Sequence, residues 1–408
     1  MTRTDPSKII IVGAGTTGLA LAQGLKKAGI AFTVYERAPS AESKRNWDFG
    51  LHWGIEPLRE LVPEHFWWSI DECQVDPHIE LRDEHFRMPL INAANGTTIK
   101  ILESSKFYRF RRDKFRKWLL QDLDVHFGKE ISKIEYGEDG CSVLATFRDG
   151  SQDSGSLLVG CDGSRSAVRH LLLGAEAAAL KPIGNFATAM IYAKHKRENA
   201  LVLRAPPNHP LYQVGIHPAG YACFLSVHDA EDKLHPEQWT FFSYISYEAP
   251  PGHDEWPKEQ LVTFQRDLAK DFGEPWRSSY EWLSEDESNV WLTKLMDWDP
   301  REPEHAWNNH AGRVTLAGDA AHPMSFQRGQ GLNNALQDAF ELCNAIRAFV
   351  FDNEDQLGAI ATYEAEMKAR GGKEVQLSRE NTFMVHSKSG EESHLSKQGM
   401  VKTKSQVT

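Results

Sequence analysis

The chain opens on Ile9-Ile10-Ile11-Val12, four β-branched residues in a row, the pattern of a short strand buried on both faces. Gly13 ends the run, and Leu19, Leu21, Ala22 and Leu25 then recur at helical spacing, predicting a helix over 16–28 with Gly29 as its C-cap. Phe32-Thr33-Val34-Tyr35 predicts the next strand, so the first segment reads as a βαβ unit and hence a parallel sheet. Leu157-Leu158-Val159 and Val314-Thr315-Leu316-Ala317 have the same character, and each leads through a glycine-containing turn into a helical pattern. The sheet is therefore expected to be assembled from pieces far apart in the chain. Between them, 182–250 alternates in the manner of half-buried strands, predicting a second sheet. A polar helix near 257–272, a Trp-rich stretch, and a helix near 358–381 follow. From His386 the sequence turns polar and is expected to be a mobile tail, 386–408.

Composition narrows the function classes. The 408 residues carry 46 Lys+Arg against 57 Asp+Glu, a net charge of −11, which disfavours nucleic acid as a partner. With 20 Phe, 12 Trp and 10 Tyr the chain is rich enough in aromatics to enclose an apolar site. Five cysteines are scattered without a CxxC pair or a zinc-type His cluster, so a reduced, cytoplasmic protein without a metal site is expected. The first residues lack the apolar core of a signal peptide, and no run approaches about 18 apolar residues, so no membrane span is expected.

Three motifs carry chemistry. Gly13-Ala14-Gly15-Thr16-Thr17-Gly18 stands between strand and helix, and Glu36 closes the second strand. Glycines there permit a tight turn and close approach of a pyrophosphate to a helix N-terminus, while the acid accepts ribose hydroxyls. The same glycines also serve tight strand–helix packing, and this motif alone does not separate NAD from FAD. The second motif is Gly160-Cys161-Asp162-Gly163-Ser164-Arg165-Ser166-Ala167-Val168-Arg169. The third is Gly318-Asp319-Ala320-Ala321-His322-Pro323, trailed by Gly329-Gln330-Gly331-Leu332-Asn333.

With these three in order and at their spacing, the sequence resembles the FAD-dependent aromatic hydroxylases of the p-hydroxybenzoate hydroxylase type, over roughly residues 7–385. The resemblance implies an α/β fold: a Rossmann-like FAD-binding domain from 1–70, 105–180 and 290–385, interleaved with a smaller β-sheet substrate domain from 71–104 and 181–289. It implies tightly bound, non-covalent FAD, with NADPH or NADH as a transient co-substrate. It places the glycines Gly13, Gly15 and Gly18 at the pyrophosphate and Glu36 on the adenosine ribose, and counts Thr17, Arg37, Asp162 and Gly163 among the cofactor-binding residues. Asp319 falls on the ribityl chain, and Gly329, Gly331, Leu332 and Asn333 fall at the pyrimidine edge of the flavin, where the positive end of a helix favours the reduced anion. Arg112 sits where the resembling enzymes reach the pyrophosphate from an R-x-x-L-R segment, with Phe115 in place of the Leu, and Arg45 where they often place a phosphate-contacting Arg. Phe326 replaces a proline that many relatives hold beside the flavin, and is read as an apolar wall; His52 is the other candidate near the flavin, against a core or surface role. The reaction implied is insertion of one oxygen atom from O2 into an aromatic or related unsaturated small molecule, through a flavin C4a-hydroperoxide, in a setting such as secondary metabolism.

The basic run Lys106–Lys117 reads as an anion patch or as a solvated helix face, with Arg112 as the one functional member. Trp239, Trp256, Trp276, Trp282, Trp291, Trp298 and Trp307 either wall a pocket or fill core. Phe66-Trp67-Trp68-Ser69-Ile70 is not the WxWxIP segment of a flavin halogenase. A FAD-dependent dehydrogenase or reductase that inserts no oxygen is the main alternative. The sequence names no catalytic base, no substrate and no oligomeric state.

Overall fold

The computed structural model describes residues 8–42, 46–79, 86–104, 106–206, 208–284, 289–387, 390–399 and 402. Arg45 therefore lies outside the described residues. The chain runs β1 (Ile9–Val12), α1 (Thr16–Ala28), β2 (Phe32–Glu36), β3 (Asp48–Leu51), α2 (Ile55–Leu61), β4 (Phe86–Asn92), β5 (Thr98–Ser104), β6 (Tyr108–Arg111) and α3 (Arg112–Leu119). It continues through β7 (Val125–Phe127), β8 (Ile131–Tyr136), β9 (Val143–Phe147), β10 (Gln152–Gly155), β11 (Leu157–Gly160), α4 (Ala167–Ala177), β12 (Lys181–Lys194), α5 (Arg197–Arg204), β13 (Tyr212–His217) and β14 (Tyr221–Asp229). The last third holds β15 (Thr240–Glu248), α6 (Lys258–Ala269), α7 (Trp276–Glu281), β16 (Val290–Asp297), β17 (Val314–Leu316), α8 (Gly331–Phe351), α9 (Gln356–Val385) and α10 (His394–Gln398).

Two larger sheets organise these elements. The first has the order β17-β11-β1-β2-β7, every pair parallel, with Ile9–Val12 buried completely or nearly so between flanking helices. The second is seven-stranded, β16-β12-β15-β14-β13-β4-β5. Each sheet has its own apolar core, one built around β1, β11, α1 and α8, the other around β13–β15 and α6. The α/β class and the sheet built from distant segments match the sequence reading.

Two expectations change. β16 pairs antiparallel with β12, from Val290↔Ile191 to Asp297↔Lys181, so 290–297 belongs to the second sheet and not to the segment that begins the return to the first. Its partner strand lies a hundred residues away, which local alternation does not reveal. Nor do residues 390–399 extend as a free tail. Leu395 is buried and its amide donates to Asn381 Oδ1 at 2.9 Å, His394 Nε2 meets Glu380 Oε2 at 2.8 Å, and Gly390 packs on Ile216 of β13. Polar partners on α9 hold this short segment where apolar content alone gives no signal.

Helix α9 joins the two halves. Near its start Glu364 accepts from Thr315 Oγ1 of β17 at 2.8 Å, and further along Arg379 pairs with Asp297 of β16 at 2.8 Å. His386, just past its end, lies 2.8 Å from Ser246 Oγ of β15. Among the described residues no helix is long and apolar enough to cross a membrane.

Candidate active site

Val12, Gly160 and Leu316 stand side by side at the carboxyl ends of β1, β11 and β17. The three motif turns therefore converge on one edge of the parallel sheet, where open α/β sheets take ligands. Gly13 has φ +110°, and a Cβ there would lie 2.4 Å from the Cys161 carbonyl oxygen. A Cβ on Gly18 would lie 2.0 Å from the Gly13 oxygen, so both positions admit only glycine for reasons of backbone packing. Gly15 differs: its added Cβ meets only the Cys161 oxygen, at 3.9 Å. At Gly163 and Gly329 nothing lies within 4 Å, and at Gly331 only Asp319 Oδ1, at 3.9 Å. These four glycines present bare backbone to open space along the edge.

Around the glycine turn, Glu36 Oε2 accepts from the Ala14 amide and Oε1 from the Ala38 amide, each at 2.8 Å. Its remaining lone pairs stay available to hydroxyl donors. Thr17 turns inward, where its side chain fills the space against Gly318 and locks α1 to the third turn. Arg37 is exposed beyond the strand end. The Arg112 guanidinium lies over the Trp47 ring at 4.3 Å, and burial together with the neighbouring Arg116 lowers its pKa. Arg116 is the residue sequence reasoning missed. It is buried, donates from Nε to the Ala14 carbonyl at 2.7 Å and reaches the Ala41 carbonyl as well. Arg112 and Arg116 are four apart on α3, the spacing that places both on one helix face, and that was the available signal. The reading of this run as surface decoration fails again at Arg109, which is buried with its guanidinium over the Phe224 ring of β14.

Asp162 serves its own helix. Its carboxylate accepts from Ser166 Oγ, from the Ala167 amide at 2.6 Å and from the Val168 amide at 3.1 Å, capping α4. Burial nonetheless leaves its pKa raised. Arg169, fully buried, ties this turn to the third by donating to the Ala320 and Ser164 carbonyls. Asp319 is exposed at the open edge, and its carboxylate accepts no hydrogen bond from the described residues. Desolvation by the protein packed around it raises its pKa.

Behind Asp319 lies a buried charge network. Asp338 Oδ2 accepts from the Gly318 amide and faces His322 Nε2, each at 2.6 Å, while Oδ1 takes Arg370 at 2.7 Å. Burial opposes these charges, but their mutual attraction lowers the Asp338 pKa and raises that of His322.

At the start of α8, Asn333 uses its side chain structurally. Oδ1 accepts from the His52 and Gly54 amides at 3.0 Å, and Nδ2 reaches the Gly50 and Gly329 carbonyls. The leading amides of Gly331, Leu332 and Asn333 have no partner within α8 and point from its positive end toward the open edge. His52 is packed beside them, its Nε2 3.0 Å from Asn333 Nδ2, and burial pushes its pKa down to about 4. A neutral ring held in this way anchors the loop and is not placed as a base.

Phe326 meets Tyr244 of β15 edge-on at 5.2 Å, with Phe224 of β14 stacked on Tyr244 at 5.5 Å and Phe242 beside it at 5.8 Å. These rings share one face of the seven-stranded sheet. Val214 and Met190 on the same face are only partly buried although they sit on interior strands, while Phe224, Phe242 and Tyr244 are buried. Of the tryptophans, Trp291 stacks on Tyr192 of β12 at 4.7 Å on this same face, whereas Trp276 packs under Gly215 and Trp298 stacks on His305.

Residues 285–378 match the FAD binding domain family and residues 11–56 the NAD(P)-binding Rossmann-like domain family. The FAD-dependent monooxygenase cctM of Talaromyces islandicus is 34% identical over 387 residues, covering 94% of both chains. The FAD-dependent monooxygenase phnB of Penicillium herquei is 33% identical, covering 94% of this chain and 92% of its own. Among solved structures, Klebsiella pneumoniae HpxO complexed with FAD and uric acid superposes with a TM-score of 0.73 at 22% identity, over 93% of this chain and 88% of that one. The last is a likeness of fold.

Proposed function

Since the chain belongs to the FAD-dependent monooxygenases, we propose that the glycine-lined edge of its parallel sheet holds the FAD, and that the aromatic face of its second sheet holds an apolar aromatic substrate. The observation that carries this reading is the convergence of Gly15, Gly163, Gly329 and Gly331, each open on its Cβ side, around the exposed carboxylate of Asp319. Bare backbone, two carboxylates and two helix N-termini form a donor and acceptor set that suits a dinucleotide.

In this arrangement Glu36 takes the adenosine ribose, and the amides at the start of α1 face the pyrophosphate with Arg112 nearby. Arg116 fixes the glycine turn from behind. Asp319 takes ribityl hydroxyls. The α8 amides favour negative charge at the flavin's pyrimidine edge, with about half a charge of helix dipole behind them. Reduced by NAD(P)H, the bound flavin supplies activation of O2 for transfer of one oxygen atom. Phe224, Phe242, Tyr244 and Phe326 orient the substrate and keep water from its reacting carbon.

Two measurements follow. With isotopically labelled O2, NAD(P)H and an accepted aromatic substrate, one labelled atom is expected in the product; a product formed without label points to the dehydrogenase alternative instead. Glu36→Ala is expected to weaken FAD binding about tenfold, the worth of a charge-assisted hydrogen bond, in a flavin-fluorescence titration. An unchanged dissociation constant would move the ribose off Glu36.

A further inference from the structure

The turn 325–328, which carries Phe326, is held on both flanks by side chains that the cofactor reading leaves unused. Ser325 Oγ donates to the Ser378 carbonyl of α9 at 3.1 Å, and Arg328 pairs with Glu374 of the same helix at 2.6 Å. Gln327 lies between them and reaches the second sheet. Its Nε2 donates to Ser246 Oγ of β15 at 2.9 Å, and its Oε1 accepts from Thr382 Oγ1 at 2.8 Å. Ser246 stands two residues beyond Tyr244, so it lies on the face where Phe326 meets Tyr244. Ser246 is fully buried, and its second partner is His386 Nε2 at 2.8 Å. The imidazole stacks on Phe186 of β12 at 4.1 Å, with its Nδ1 2.6 Å from the Thr382 carbonyl oxygen.

The direction of every bond in this chain follows from its last member. A carbonyl only accepts, so Nδ1 carries the proton and the neutral ring presents Nε2 as an acceptor. Ser246 therefore gives its one hydrogen to Nε2, its oxygen is left to accept from the Gln327 amide, and Gln327 Oε1 is left to accept from Thr382. Burial pushes the His386 pKa down to about 4, which keeps the ring neutral at neutral pH. The ring faces Thr382 of α9, Ser246 of β15 and Phe186 of β12, with Gly220 before β14 against its main chain, and among the described residues it forms no ion pair. We propose that His386 is a positioning residue: through Ser246 and Gln327 it fixes the Phe326 ring as a wall for the aromatic substrate. A second proton on the imidazole would turn Nε2 into a donor. Ser246 would then face two donors with no acceptor for its own hydrogen, and Gln327 would lose its hold on the sheet.

This inference rests on the aromatic-substrate reading, and the experiment separates the two. 4-Fluorophenylalanine is placed at position 326 of the FAD-loaded enzyme, and its fluorine NMR signal is followed against pH and against added 2-naphthol. The wild type is expected to give one sharp signal, constant from about pH 5.5 to 8, that shifts when 2-naphthol binds. Gln327→Glu sets a carboxylate against Ser246, which must then donate to it; Nε2 gains a proton, and the His386 pKa rises into the range scanned. The signal of this variant should titrate there with a single pKa, and adding His386→Gln should abolish the titration. In Ser246→Ala the freed ring should broaden the signal. Its affinity for 2-naphthol should fall about three- to tenfold, the cost of ordering one side chain again, with FAD content unchanged. A titration absent from Gln327→Glu, or retained when His386→Gln is added, overturns the proposal, as does unaltered naphthol affinity in Ser246→Ala. In each of these cases a wild-type signal that still moves with 2-naphthol leaves the aromatic-substrate reading standing. A wild-type signal unmoved by 2-naphthol removes both.

Discussion

Asp319→Ala is expected to purify colourless, or to lose its yellow colour on dialysis, with FAD affinity reduced a hundredfold or more. Two charge-assisted hydrogen bonds to a polyol, at about 1.5–3 kcal/mol each, correspond to at least that factor. The substitution is an informative one because the carboxylate makes no hydrogen bond to the described protein, and only its main-chain oxygen is used, by Arg169. Apoprotein melting should therefore match the wild type while flavin content collapses. Asp319→Asn, which keeps one acceptor and loses the charge, should fall between the two. Retention of stoichiometric flavin through dialysis by Asp319→Ala would show that the ribityl chain is held elsewhere.

Asp338→Ala acts by the opposite route. It is expected to destabilise the fold by about 3–5 kcal/mol, the range for removing one partner of a buried ion pair, since His322 and Arg370 are left charged or forced to discharge without a counter-ion. The pH dependence carries a sign. His322 has a raised pKa in the folded state, so its share of stability is complete below its ordinary value near 6.5 and is lost as pH climbs through the raised one. Asp338 has a lowered pKa, so its share is complete above the ordinary carboxylate value near 3.9 and is lost as pH falls through the lowered one. The triad thus contributes most between about pH 4 and 6.5, and the variant should show a flatter profile in denaturant titrations there. A loss below about 1 kcal/mol, or an unchanged profile, would mean that the network is not charged as described.

The parts of this molecule that the sequence makes legible are those in which strand, turn and helix are contiguous. Ile9–Val12 followed by three glycines, Asp162-Gly163 opening α4, and Gly318-Asp319 after β17 all read correctly as turns at strand ends, because each local pattern contains its own start and stop. What escaped depends on partners far along the chain. The sequence offers Asn333 for its amide, yet its side chain braces the loop at His52 and Gly54, far earlier in the chain. Arg109 and Arg116 sit in a run whose composition says surface, and only the sheet above and the glycine turn beside them turn them inward. β16 escapes local patterning because the strand that receives it is remote, and 390–399 because polar partners on α9, not apolar content, hold it.

Helix α9, 30 residues long and so about 45 Å, is bonded to β17 near one end and to the strands of the second sheet at the other. It acts as a strut. A hinge rotation that separated the two sheets would have to break this rod or shear the Arg379–Asp297 ion pair. The two sheets are thus kept at one fixed separation, as two walls are by a tie-beam.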